Sequence, residues 1–155
     1  MKKSWRPAIF VVAYSVNENN IPEFILLNRK LHWKGWEFCK GKIEKGETQI
    51  ETVRRELMEE TGIKIGRNKI VDHKIAGKYF YPKSFTARPG KIGQTYHLYS
   101  VKAKKPNRIT LDPLEHKGYK WLTFEKAIKL LTYPNQRKSL AVVNKWIKNN
   151  SITKS

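Results

Sequence analysis

Apolar and polar positions along this chain follow two rhythms. Residues 8–16 (AIFVVAYSV) form a run of β-branched and aromatic side chains, and residues 23–29 (EFILLNR) form another. Both predict strands, and the polar NENNIP between them predicts a turn. The stretch LHWKGWEFCKG is aromatic and closes on Gly41. The period then changes. Ile50, Val53 and Leu57 recur at spacings of three and four, which predicts a helix. Thr48 and Glu51 are placed for a capping box at its start, and Gly62 is placed to end it. Residues 69–81 and 94–102 predict two further strands, joined by the basic PKSFTARPGKIG. Residues 118–122 predict a short strand. Thr123 can cap a helix through Leu131, and Pro134 enforces a break. Leu140, Val143 and Ile147 return to helical spacing within residues 137–150.

Strands that pair as hairpins, with helices between them, predict an α/β sandwich: a mixed sheet with helices on both faces. No repeat, low-complexity tract or linker divides the 155 residues, so one domain over 1–155 is the expectation. A hydrophobic share of 39% argues against disorder. The apolar run at 8–13 is short and continues in alternation, which reads as a strand and not a signal peptide. No segment approaches the ~18–20 apolar residues of a membrane-spanning helix. The single Cys39 excludes an internal disulfide and fits a reducing, cytoplasmic setting. A monomer is the expectation.

Charge sharpens the picture. The chain carries 32 Lys and Arg against 13 Asp and Glu, a net charge of +19. Such a balance attracts polyanions such as nucleotides or nucleic acid, or reflects a lysine-rich solvated surface. The basic residues are dispersed and not set beside one amphipathic face, which disfavours a membrane partner. Against that background Glu56, Glu59 and Glu60 fall within five positions of one predicted helix. Spacings of three and four put them near one face, with the apolar stripe opposite, so they are expected to point outward. Repulsion concentrated there fits either a solvated face or a site for a divalent cation such as Mg²⁺, to which the Gly41 carbonyl would add an oxygen.

These residues carry a resemblance. Gly41, Glu47 and the run Arg55-Glu56-Leu57-Met58-Glu59-Glu60-Thr61-Gly62-Ile63 match the Nudix box at every defined position. The resemblance implies a Nudix hydrolase and its sandwich fold, with Mg²⁺ or Mn²⁺ as cofactor and a nucleotide derivative as substrate. It implies that Glu56, Glu59 and Glu60 bind metal and that Glu47 and Arg55 brace loop against helix. Glu47 retains a rival reading as a helix-start residue favoured by the dipole.

WEFCKGKIEKGE and LEHKGYKWLTFEKAIKLLTYPNQRKSL are similar to the entry and closing segments of asymmetric diadenosine tetraphosphate hydrolases. Cys39, where that family usually has Pro, and Ile43 depart from it. The likeness implies cleavage to ATP and AMP, with Glu115 as a further ligand or the general base. Glu56 and Glu59 remain candidates for that base. It also implies that Lys40 and Lys83 meet phosphate and that Tyr81 and Tyr133 stack on a base. His116 is read as structural, and Cys39 is no nucleophile, since no His/Asp arrangement surrounds it. RNA 5′-pyrophosphohydrolases share the box, so an RNA end is the alternative substrate; residues 83–91 and 102–108 would track its backbone. No basic-aromatic platform for single-stranded bases is visible in the sequence. The intact carboxylates disfavour a non-catalytic nucleotide-binding module.

Overall fold

The structure is a computed structural model that describes residues 2–152. Of the span 1–155 expected to form one domain, Met1 and residues 153–155 lie outside the described residues. The sheet is built around β1 (Ser4–Val16). Along one side β1 runs parallel to β6 (Lys91–Lys102), which pairs antiparallel with the edge strand β5 (Ile70–Phe80). On its other side β1 pairs antiparallel with β2 (Pro22–Arg29) near one end and with β4 (Cys39–Lys42) in its middle. Strand β2 also pairs with β3 (Gly35–Glu37) and β7 (His116–Thr123).

The near-continuous apolar run of β1 follows from burial on both faces. Ile9, Val11 and Ala13 enter one core with Ile25 and Leu27, covered by Val53 and Leu57 of α1 (Gln49–Thr61). Phe10, Val12 and Tyr14 enter a second core with Phe24 and Leu26. That core is covered by α2 (Phe124–Leu130), the adjoining Leu131, and α3 (Pro134–Ile152) through Leu140, Val143 and Ile147. The mixed sheet with helices on both faces is the expected α/β architecture.

Two local readings change. The aromatic stretch before Gly41 holds β3 and β4, so Lys40 and Gly41 sit on a strand, opposite Phe10 and Ile9. Pro134 separates α2 from α3 but also opens α3, three residues before the expected start at 137. A first-turn residue donates no intrahelical bond, so proline costs nothing there.

Candidate active site

Helix α1 is fixed at both ends. Thr48 and Glu51 form the reciprocal capping box, and Gly62 closes the helix at φ 79°. The anchored helix lies over β1 and β4. Its carboxylates do not all point to solvent, contrary to the sequence expectation. Only Glu59 is open, while Glu56 and Glu60 are 9% and 2% exposed. Gly41 is the reason. A Cβ there would come within 2.0 Å of the Glu56 carboxyl carbon, so glycine on β4 makes the space the carboxylate fills.

Arg55 organises the helix face. Its Nε donates to Glu47 Oε2 at 2.7 Å and its Nη2 to Glu47 Oε1 at 2.9 Å. Nη2 also donates to the Lys42 carbonyl, and Nη1 donates to Glu56 and Glu59 at 2.8 and 3.2 Å. Glu47 further accepts from the Thr52 hydroxyl and the Glu44 amide. Such planar bidentate pairs are among the stronger charge-assisted bonds. They hold the Glu47 carboxyl down at about 2, through Arg55 first, with Thr52 and Glu44 helping to outweigh the opposing effect of burial. Glu47 is thus tied into the loop–helix junction.

Glu56 and Glu60 behave oppositely. Burial pushes Glu56 up to about 7 despite Arg55, and Glu59 and Glu115 push the same way. Burial and the nearby charges of Glu56 and Glu37 push Glu60 well above the carboxylate range. Glu60 Oε2 accepts from the Lys40 amide at 3.3 Å, but its buried Oε1 has no hydrogen-bond partner. Glu115, half-buried just before β7, completes the cluster. Ligand atoms of Glu60, Glu115 and His116 all lie within 4.8 Å of one another. His116 is buried, and its Nε2 meets Glu37 at 2.9 Å while Nδ1 is unpaired.

Behind this groove stands a hub that the sequence did not reveal. Glu37 is fully buried and meets Arg29 at 3.1 Å, His116 at 2.9 Å and Lys40 at 3.7 Å. Burial alone would raise its pKa, but Lys40, His116 and Arg29 outweigh it and bring it to about 2. Burial lowers the Lys40 ammonium to about 8, with Arg29 and Arg88 acting the same way and Glu37 resisting. Lys40 lines both the carboxylate groove and a neighbouring aromatic cleft of about 640 Å³.

Tyr81 and Tyr133 both line that cleft, with His32, Trp33 and Phe85. Phe85 stands 4.9 Å from Tyr81 and 5.5 Å from Trp33, ring centre to ring centre. Lys83 is exposed and lines neither space. Arg88, not Lys83, is the basic residue of this loop that reaches the groove, 5.3 Å from the Trp33 ring centre and 5.4 Å from that of Tyr81. A basic-aromatic platform therefore exists. It escaped the sequence reading because its parts lie in the 32–33, 81–88 and 133 stretches, and only the aromatic richness of LHWKGW hinted at it. Arg6 and Arg88 were also missed: both reach Oε1 of the buried Gln94 at the groove wall, at 2.9 and 3.1 Å. Cys39 is fully buried, its thiol raised by burial and nearby carboxylates.

A family profile described as the NUDIX domain matches residues 5–143. The chain belongs to the Nudix family. Nudix hydrolases act on nucleotide phosphoanhydrides and are generally dependent on a divalent cation. An RNA pyrophosphohydrolase of Sulfurovum sp. is 31% identical over 95% of this chain and 96% of its own. The asymmetrical bis(5′-nucleosyl)-tetraphosphatase of Mus musculus is 30% identical over 79% of each chain. Among solved structures, a C. elegans Ap4A hydrolase in a binary complex superposes with a TM-score of 0.73 at 24% identity, covering 93% of this chain and 98% of its own. That last likeness concerns the fold. Within this Nudix domain the donor set suits a hard cation: crowded carboxylates raised by burial first and by one another's charge second, with an orphaned buried oxygen on Glu60. No helix of the described residues is long and apolar enough to cross a membrane.

Proposed function

We propose that this Nudix hydrolase cuts a phosphoanhydride bond in a dinucleoside polyphosphate, releasing ATP and AMP from diadenosine tetraphosphate. One observation carries the reading: Lys40 lines both the aromatic cleft and the carboxylate groove. A base held among Tyr81, Tyr133 and Phe85 would send its phosphate chain past Lys40 toward the carboxylates. Glu56, Glu59, Glu60 and Glu115 would hold Mg²⁺ or Mn²⁺, with the Gly41 carbonyl beside them. Such a cation neutralises phosphate oxygens and lowers the pKa of water.

The protein's own groups supply the rest. Arg55 keeps Glu56 and Glu59 on the groove side of α1. Lys40 and Arg88 offset the charge of the phosphate chain. Glu115 takes the proton from the attacking water as oxygen bonds to phosphorus and the bridging P–O bond breaks toward the ATP leaving group. The test is product analysis with diadenosine tetraphosphate: ATP plus AMP is expected, and two ADP would overturn the asymmetric reading.

A second reading takes triphosphorylated RNA as substrate. It is favoured by the basic-aromatic platform and by the likeness to RNA pyrophosphohydrolases. Rapid release of pyrophosphate from RNA 5′ ends beside negligible tetraphosphate turnover would put it first.

A further inference from the structure

Residues 73–111 contain nine Lys and Arg and no acidic residue. They cover most of the edge strand β5, its loop to β6, β6 itself and the loop beyond. At the end of this hairpin Trp5, Gly93 and Phe80 lie side by side across β1, β6 and β5. By strand alternation this row shares the sheet face of Ile9 and Val11, the face that α1 covers farther along. Among the described residues no helix covers it here. Phe80 is 65% exposed, although aromatic rings of that size are mostly buried. Its ring lies 5.0 Å from that of Trp5, and the Lys78 ammonium lies 5.0 Å from the Trp5 ring centre. Gly93 makes the arrangement possible, because a Cβ would come within 2.7 Å of the Trp5 ring. Phe80 also stands at the rim of the aromatic cleft. The next residues along the three strands, Arg6, Gln94 and Tyr81, belong to the hydrogen-bonded cluster at the groove.

We propose that this open face, formed by Trp5, Phe80 and Lys78, binds single-stranded RNA. An exposed Phe80 beside a half-buried Trp5, on a sheet edge whose one acid, Asp72, lies at its far end, offers what unpaired bases and their phosphates require: a flat apolar surface for one, ammonium groups for the other. A base stacks on the open side of Phe80 beside Trp5. Lys78 turns from the ring to a phosphate, and Lys74 and Lys91 of the same hairpin follow the backbone. A duplex hides its bases and gains nothing from the rings. The face goes beyond the hydrolytic reading and stands whichever phosphoanhydride is cut.

The test uses the full chain and a 5′-hydroxyl 12-nucleotide RNA, which offers no phosphoanhydride to the groove. Fluorescence anisotropy is expected to give about tenfold weaker binding for Trp5→Ala, the scale of losing one stacked base. Lys78→Glu lies on an exposed side chain and gives the decisive loss should Trp5→Ala fail to fold. Heparin, a polyanion without bases, should lose affinity with Lys78→Glu but not with Trp5→Ala. Tetraphosphate hydrolysis by the folded variants should match the parent, which keeps failure of this face distinct from failure of the catalytic reading. RNA binding unchanged in both variants, heparin weakened by Trp5→Ala as much as RNA, or a duplex bound as tightly as the single strand would each overturn the proposal.

Discussion

At the scale of single residues, the carboxylates are costly as they stand. Glu56 and Glu60 are buried among other acids, and both resist ionisation. Their pKa values lie above those of the unfolded chain, so the folded protein holds extra protons. That contribution to stability is complete below the ordinary carboxylate range and is lost as pH rises through about 7 for Glu56. The metal-free protein should therefore melt at a lower Tm at pH 8 than at pH 5.5, and Mg²⁺ or Mn²⁺ should recover much of the loss. A metal-free Tm that climbs over that interval would contradict the assignment. Proton release on metal binding, read by calorimetry in buffers of different ionisation enthalpy, should accompany the recovery. Glu60→Gln separates function from folding. Turnover should fall at least a hundredfold, while the metal-free Tm should hold or rise because a buried repulsion is gone; near-parental turnover would remove Glu60 from the ligand set. Glu115→Gln tests the base. General-base help is worth ~10²–10⁴-fold, so kcat should drop in that range with KM little changed. A drop of less than threefold would pass the role to Glu56 or Glu59.

At the scale of elements, α1 was the most legible piece. Its cap, apolar stripe and terminal glycine are local signals, and all three appear in the structure. Long-range closeness was not legible. The period of α1 gives the face on which Glu56 and Glu60 lie, but not that β4 comes near enough to bury them. Likewise β3 and β4 are short, and their pairing with β2 and β1 is what makes them strands. Lys83 and Arg88 lie five apart in one loop, and only the folded loop decides which of them turns to the groove. Glu37 stayed hidden because its partners Arg29 and His116 come from β2 and β7. The close fit of β4 to α1 gives a further prediction. Gly41→Ala should displace the Glu56 carboxylate, which is held in place by Arg55. The colliding atoms end a side chain, so the fold should survive with a small change in Tm. Metal affinity should fall at least tenfold. Unchanged Mn²⁺ binding would mean that the Glu56 carboxylate moves aside freely and that the glycine cradle has no part in the site.

At the scale of the whole molecule, a strongly basic chain holds a small groove in which carboxylates and basic side chains face one another, and an aromatic cleft shares Lys40 with it. The two substrate readings use these features differently. A dinucleoside polyphosphate is short, so its recognition rests on a base in the cleft and on Lys40 and Arg88 along the phosphates. Few phosphates are neutralised, and salt should matter little. An RNA end also meets the outer lysines, and its affinity falls steeply with salt because each phosphate contact releases counterions. Tyr133 lines the cleft, and its hydroxyl donates to the Lys34 carbonyl at 3.3 Å, which ties α3 to the loop before β3. Removal of the ring takes away a stacking surface worth ~1–3 kcal/mol per base, so Tyr133→Ala should raise KM for diadenosine tetraphosphate about fivefold to a hundredfold with kcat nearly unchanged. A loss confined to KM is the mark of binding that substrate and transition state share. Raising salt from 50 to 200 mM should change kcat/KM for the tetraphosphate only a few-fold. A hundredfold fall over that range, with KM indifferent to Tyr133→Ala, would mean that long-range charge and not the cleft selects the substrate, and the RNA end would become the leading candidate.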